Sequence, residues 1–376
     1  MHVLTEINWA QKAGGARRVT SNILEEMMRI SPKHFYSVAT NANCPDLNEK
    51  HIPYTTLKRP RMLPKILWDQ FIYPHLALPQ HIKKTRPDLV HFTNALHASN
   101  VPPRAKTIVT IHDMIPFVMS KSFHRLHIPY LKTYIRYAVN RADHVITVSE
   151  HSKQDIINIT KTAPERITVI YNASNLNRHL PLQPKKTSFY DQKYLLQKPF
   201  FLFVGAIHPR KNVERLIESF SLCKKQNRLP HKLILAGSLR WGNATLLKNE
   251  TLKTYNNDIV FTGKISDEEL IYLYQNCEAL TYPSLYEGFG LPVIEAMSLN
   301  APVITSKTSC LPEIAGESAL LVNPKEISEI AEAMCKISSD RSLREQLVEK
   351  GKLRAKFFSW EKAARQTLTV YQECFS

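Results

Sequence analysis

The sequence predicts an α/β protein of two domains, each a parallel sheet covered by helices, and three observations carry that expectation. At 376 residues the chain is too long for one ordinary core and suits two. Short apolar runs alternate with segments of helical periodicity, the pattern of parallel strands joined by crossover helices. A Pro- and Lys-containing stretch before Pro199 separates two such series, and the charge balance changes there. Residues 1–198 hold 28 Lys and Arg against 13 Asp and Glu, whereas residues 199–376 hold 22 against 20.

In the first series, His2 to Ile7 reads as a strand; the start lacks the basic region, apolar core and cleavage site of a signal peptide. Gly14-Gly15 then opens a helix from about Ala16 to Ile30, with Val19, Ile23, Leu24 and Met27 on one face. A glycine pair after the first strand can admit a phosphate closely, although no G-x-G-x-x-G is present. Arg17 and Arg18 could flank the same anion or lie on the solvated face. Further strands are expected at His34 to Thr40, Asp88 to Thr93, Lys106 to Asp113, His144 to Ser149 and Arg166 to Tyr171. Residues 53–82 carry five prolines with Lys58, Arg59, Arg61 and Lys65, and read as a mobile basic connection. The later part of the same stretch is an amphipathic segment with Trp68, Phe71, Ile72 and Tyr73. It suits an acceptor or an anionic membrane surface, and its aromatics equally suit a core. His112-Asp113 ends a strand at the carboxyl edge of the sheet, where ligands bind in parallel α/β folds; a structural histidine is the alternative.

In the second series, Pro199 to Ala206 is a buried strand running into His208-Pro209-Arg210-Lys211-Asn212, then a helix with Leu216, Ile217 and Phe220 inward. Two adjacent cations at a strand-to-helix turn can clamp a diphosphate, or form an ordinary surface pair. Strands follow at Lys232 to Gly237 and Ile259 to Gly263. Ser266 to Glu269 is a capping box for the helix Glu268 to Cys277. Glu278 to Ser284 is a short strand, and after it come Glu287 and Glu295, eight positions apart across a glycine-containing turn. Pro292 suits the first turn of a helix, which places Glu295 in that turn and Glu287 in the loop before it. Gly288, Phe289, Gly290 and Leu291 would present backbone N–H groups to anionic or hydroxyl oxygens. A turn with two solvated glutamates is the alternative. Strands at Val303 to Ser306 and Ala319 to Val322, and helices at Glu326 to Ser338 and Ser342 to Phe357, complete the series.

Composition narrows the function classes. No apolar run approaches the length of a membrane span. Six cysteines without a C-x-x-C pair read as free thiols in a reducing cytoplasm. Without D-x-D, or a His/Cys set at ligand spacing, no metal or other cofactor is expected. The basic first half points to an anionic partner or to a merely solvated surface, and no nucleic-acid-binding motif is present.

The segment SLYEGFGLPVIEAMSLNAPVITSKTSCLPEIAGESALLVNP resembles the E-x7-E region of retaining glycosyltransferases of the GT4 type. So do the G-x3-PRKN pattern ending in Arg210, Lys211 and Asn212, the FSWE element at Phe358 to Glu361, and TIHDMIPF, whose HD-x-x-P form resembles mannosyltransferases. The resemblance implies the GT-B fold: two Rossmann-like domains facing across a cleft, residues 1–190 with a crossing-back helix at 360–376, and residues 199–358. It implies transfer of a sugar from a nucleotide donor, with mannose from GDP-mannose favoured and a UDP-sugar as alternative, to a saccharide or lipid-linked acceptor in surface polysaccharide synthesis. Arg210 and Lys211 would bind the donor diphosphate, Glu295 the ribose, and the main chain at Lys264 and Ile265 the base. Glu287 and His112 would lie beside the sugar. The implied location is the cytoplasm, peripheral at the inner face of the membrane. A GT-B sugar-nucleotide epimerase is the competing enzyme class, and the E-x7-E match argues against it.

Overall fold

The computed structural model describes the chain except residues 8–14, 42–43, 61, 99, 121–124, 175, 177–183, 195–198, 228, 240–251 and 253. It divides into two compact units, Met1–Asn172 with Ser359–Ser376, and Ala173–Phe358.

Among the described residues, the first unit is built on seven parallel strands: β1 His2–Ile7, β2 Phe35–Thr40, β3 Tyr54–Thr56, β4 Leu89–Phe92, β5 Lys106–Ile111, β6 His144–Thr147 and β7 Ile167–Val169. Their order is β3-β2-β1-β4-β5-β6-β7, so the winding reverses between β1 and β4. The central strands are covered on both faces, with Val3, Leu4, Leu89, Val90, Ile108 and Val109 fully buried, which is why they read as near-continuous apolar runs. The Gly15–Ile30 helix turns Val19, Leu24 and Met27 inward and leaves Arg18 exposed. Gly14 lies outside the described residues.

One expectation changes in this unit. The stretch read as a basic connection contains β3, which pairs with β2 from Val38↔Tyr54 to Thr40↔Thr56. It continues as helix through Lys65–Leu67, Trp68–Ala77 in π form and Leu78–Thr85. Pro74, inside the π segment, lacks the N–H that a regular α-helical ladder would use there. Trp68 and Tyr73 join the core, whereas Phe71 is 49% exposed. The aromatics thus divide between the two roles left open by the sequence.

Among its described residues the second unit has six parallel strands: β8 Phe200–Val204, β9 Lys232–Ala236, β10 Ile259–Gly263, β11 Ala279–Tyr282, β12 Val303–Ser306 and β13 Leu320–Val322. Their order, β10-β9-β8-β11-β12-β13, is the doubly wound arrangement with its switch point between β8 and β11. The Val213–Asn227 helix buries Leu216, Ile217 and Phe220 as its periodicity requires. Ser266 caps the Asp267–Asn276 helix: its Oγ accepts from the Glu269 N–H at 3.2 Å, while Glu269 Oε2 accepts from the Ser266 N–H at 2.8 Å.

The division between units falls at Asn172/Ala173, before the boundary at 190 read from sequence. The Pro184–Lys193 helix belongs with the second unit because Tyr194 donates to Glu269 at 2.8 Å and the Tyr272 hydroxyl bonds Asp191. The Trp360–Glu373 helix, capped by Ser359, groups with the first unit. It buries Trp360, Ala364 and Tyr371 and packs on the Gly15–Ile30 helix, with the Tyr371 hydroxyl 2.7 Å from His91 Nδ1. The cysteines also depart from expectation. Cys223 and Cys335 form a disulfide because the Val213–Asn227 and Ile327–Ser339 helices lie side by side, with the two Cα atoms 6.1 Å apart. Cys44, Cys277, Cys310 and Cys374 form no disulfide among the described residues, as the sequence reading expects.

Candidate active site

Ligands of doubly wound sheets bind beyond the carboxyl ends of the strands at the switch point. In the second unit, β8 and β11 deliver Arg210, Lys211 and Glu287 to that place. After β8 the chain makes a 3-10 turn over Pro209–Lys211, and Asn212 takes a left-handed conformation at φ 59°. The Asn212 amide holds that turn by donating to the carbonyls of Pro283 at 3.0 Å and Pro324 at 2.5 Å. After β11, Glu287 is anchored through its own main chain. Its N–H donates to Ser309 Oγ at 2.9 Å, and its carbonyl accepts from Ser309 Oγ at 2.7 Å and from Cys310 Sγ at 3.2 Å.

The three charged groups meet in a buried cluster. Arg210 Nη1 lies 2.5 Å from Glu287 Oε2, and Lys211 Nζ lies 2.6 Å from Oε1. Arg210 Nη1 also donates to the Tyr286 carbonyl at 2.6 Å. Tyr282 closes the cluster, donating to Glu287 Oε1 at 2.9 Å and accepting from Lys211 Nζ. Burial alone would raise the Glu287 carboxyl, but Arg210 and then Lys211 hold it down at about 2. Burial also lowers the Lys211 ammonium to about 8, against the opposing pull of Glu287. Near neutral pH the three groups therefore carry two positive charges and one negative, and the excess favours an anion.

The glycine turn that follows is built for close approach. Gly290 has φ 93°, and a Cβ there would come within 2.7 Å of Leu311 Cδ2. Gly288, Phe289 and Gly290 are buried, and the Leu291–Ser298 helix starts directly after them with Pro292 in its first turn. Glu295 lies one turn further into this helix than the sequence reading placed it, since the first turn contains no acidic residue. Tyr274 donates to Glu295 Oε2 at 3.1 Å. Lys264 and Ile265 follow Gly263, at φ 67°, in the turn after β10; Lys264 is exposed.

His112 follows β5 in the first unit. Burial lowers its imidazole to about 4, against a bond to the Thr93 backbone, and its Nε2 has no hydrogen-bond partner among the described residues. A neutral ring with an unpaired nitrogen is suited to a hydroxyl. Tyr274, Tyr282 and Ser309 are site residues that the sequence reading missed. The only available signal was Tyr282's position at the end of the strand preceding the E-x7-E segment.

Residues 13–178 match the Glycosyltransferase Family 4 model and residues 186–354 the Glycosyl transferases group 1 model. The O-antigen chain mannosyltransferase B of Escherichia coli is 31% identical over 268 residues, 71% of this chain and 70% of that protein. The chain belongs to the GT4 family of glycosyltransferases. The O-antigen chain mannosyltransferase RfbU of Salmonella typhimurium is 33% identical over 276 residues, 73% of this chain and 71% of that protein. Against the serotype-specific mannosyltransferase WbdA of E. coli, 26% identity extends over 97% of this chain but only 47% of that longer protein. Among solved structures, Anabaena Alr3699/HepE in complex with UDP and glucose superposes with a TM-score of 0.78 at 19% identity, covering 99% of this chain and 100% of that one. WaaG, a glycosyltransferase involved in lipopolysaccharide biosynthesis, gives 0.76 at 16% identity, covering 98% and 99%. The GT-B fold of this GT4 enzyme follows from these likenesses together with its two parallel sheets.

Proposed function

We propose that this GT4 enzyme transfers mannose from GDP-mannose, with retention at the anomeric carbon, to a saccharide or lipid-linked acceptor in bacterial surface polysaccharide synthesis. The observation that carries the transfer chemistry is the buried Arg210–Lys211–Glu287 cluster at the carboxyl ends of β8 and β11. A departing nucleoside diphosphate gains negative charge as the glycosidic bond breaks, and stabilising that charge lowers the barrier. Arg210, Lys211 and the backbone N–H groups from Gly288 to Leu291 are assigned to it. Glu295 is assigned to the ribose hydroxyls, the main chain at Lys264 and Ile265 to the base, and Gly14 and Gly15 to close passage of the donor. Glu287 stabilises positive charge at the anomeric carbon or holds a ring hydroxyl, and His112 accepts a hydrogen bond from the transferred sugar. The acceptor hydroxyl attacks from the face that the diphosphate leaves, with the leaving phosphate taking its proton. Two protein cations already supply the charge that a divalent metal would bring, so transfer should proceed in EDTA.

The mannosyl donor is supported by the names of the E. coli and Salmonella relatives and by the HD-x-x-P form at His112. A UDP-sugar is the second reading, favoured by the UDP bound in the Anabaena neighbour. Incubation with a panel of sugar nucleotides and saccharide acceptors, read as released GDP or UDP, decides between them. Turnover of none would refute the assignment.

The acceptor would be met at the inner face of the membrane. Residues 51–141 hold 14 Lys and Arg against three Asp and Glu, a net +11. The same stretch exposes Met62, Leu67, Phe71 and Leu76, beside exposed Lys58, Arg59 and Lys65. Apolar side chains among cations suit an anionic lipid surface. Cosedimentation with phosphatidylglycerol vesicles should be strong at low salt and weak at high salt; no binding at low salt would rule this out.

A further inference from the structure

The donor diphosphate assigned to Arg210 and Lys211 has a competitor within the protein itself. Glu287 spans both cations, with one carboxylate oxygen 2.5 Å from Arg210 Nη1 and the other 2.6 Å from Lys211 Nζ. All three side chains are largely buried, with relative exposures of 18% for Arg210, 11% for Lys211 and 9% for Glu287. Two donors so placed cannot give their full strength to phosphate oxygens while they hold a carboxylate. Leaving either buried cation unpaired would be costly, and the carboxylate meets that need. When phosphate takes the cations, Glu287 in turn must not be left buried without a partner. Tyr282 answers that need, because its hydroxyl donates to Glu287 Oε1 at 2.9 Å and stands on β11, a fully buried central strand. Main-chain bonds to Ser309 and Cys310 hold Glu287 independently of its carboxylate.

We infer that Glu287 stands in for the donor diphosphate in the empty enzyme, and that diphosphate binding hands Arg210 and Lys211 to the phosphates while Tyr282 retains the carboxylate. Tyr282 is then a positioning residue: it determines where Glu287 lies once its ion pairs are gone. Donor arrival itself converts Glu287 from a counter-ion of the clamp into a carboxylate held by Tyr282. The inference rests on the diphosphate assignment above and extends it to the order of events in the site.

Isothermal titration of GDP and UDP against the wild-type enzyme, Arg210→Ala, Glu287→Gln and Tyr282→Phe tests it. Glu287→Gln removes the competing charge and keeps the shape, so it should bind nucleoside diphosphate more tightly than wild type, by about threefold or more, while losing turnover. Tyr282→Phe should lower kcat and leave the donor KM within about twofold of wild type. If wild type binds and Arg210→Ala does not, but Glu287→Gln is no tighter, the stand-in role is overturned and the clamp survives. If Arg210→Ala binds as well as wild type, the diphosphate assignment fails, and the inference with it. A crystal structure of the wild-type enzyme with GDP or UDP gives a readout independent of variant folding. It should show both cations on phosphate and Glu287 still on Tyr282; Glu287 remaining on Arg210 and Lys211 would overturn the inference.

Discussion

Replacing Lys211 with alanine tests the site at its most buried cation. The side chain is 11% exposed, its ammonium contacts both Glu287 and Tyr282, and alanine leaves nothing within reach of a phosphate. The fold should survive, because Arg210 still neutralises Glu287 at 2.5 Å and no carboxylate is stranded. Catalysis should not. Loss of one preorganised donor to a developing oxyanion costs about 10²–10³ in kcat, or about 2.7–4 kcal/mol. On the proposed assignment Lys211 would also meet the diphosphate in the ground state, so KM for the donor should rise as well, and kcat/KM should fall by about 10³ or more. Initial rates of GDP release against donor concentration, with melting temperature measured on the same preparation, give both numbers. A folded Lys211→Ala enzyme within about threefold of wild-type kcat/KM would refute the phosphate role.

Other consequences are equally direct. Because burial lowers Lys211 to about 8, donor binding should weaken as pH rises through that value, while Glu287, at about 2, stays ionised throughout; a rate profile flat from pH 7 to 10 would contradict this. The linked stability effect has the opposite sign. Between about 8 and the ordinary 10.5 the unfolded chain keeps a proton that the native one has released, so this group's contribution to stability rises across that window, as denaturation at stepped pH can show. If Glu295 holds the ribose as proposed, in ground and transition states alike, Glu295→Gln should raise donor KM by about tenfold with a smaller change in kcat. Gly290→Ala puts a Cβ on a residue at φ 93° and 2.7 Å from Leu311, and should cost about 1–3 kcal/mol by urea denaturation. Cys335→Ser should lower the stability of the oxidised protein by about 2–4 kcal/mol and abolish the difference made by a reductant, as expected for a link across 112 residues.

Much of the fold was legible because parallel strands buried on both faces must be apolar along their length. The runs at Phe200–Val204 and Lys106–Ile111 could hardly be anything else. What escaped lacks a local signal. Strand β3 is three residues long at a sheet edge beside Pro53, and only its pairing with β2 defines it. Trp68 and Phe71 lie three positions apart in one amphipathic segment, yet one is core and the other surface, because Trp68–Ala77 is helical in π form, whose wider turn takes positions three apart off a common face. The Cys223–Cys335 pair depends on two helices 112 residues apart coming together. The site divides in the same way. Arg210, Lys211 and Glu287 stood out through their resemblance to GT4 motifs, and the structure brings them into contact. Tyr282 and Ser309 are ordinary residues in ordinary places until the chain folds, and no spacing rule links them to Glu287.

The environments of the two glutamates weigh against a hydrolase. A retaining glycosidase needs one carboxylate as nucleophile and a second that stays protonated long enough to act as acid, both on the same sugar. Glu287 cannot be that acid: two cations hold its carboxyl at about 2, so it gives up its proton far below any physiological pH. As a nucleophile it would have to leave both ion pairs, and a hydrolase would then have no use for the cations it abandoned. Glu295 lies on the Leu291–Ser298 helix, where the Tyr274 hydroxyl donates to its Oε2 at 3.1 Å. On the proposed assignment every group finds a use once an anion arrives with the sugar: the anion takes Arg210 and Lys211, Tyr282 keeps Glu287 in place beside the sugar, and Glu295 meets a neutral diol. A nucleotide-sugar donor brings the anion, the sugar and the diol in one molecule.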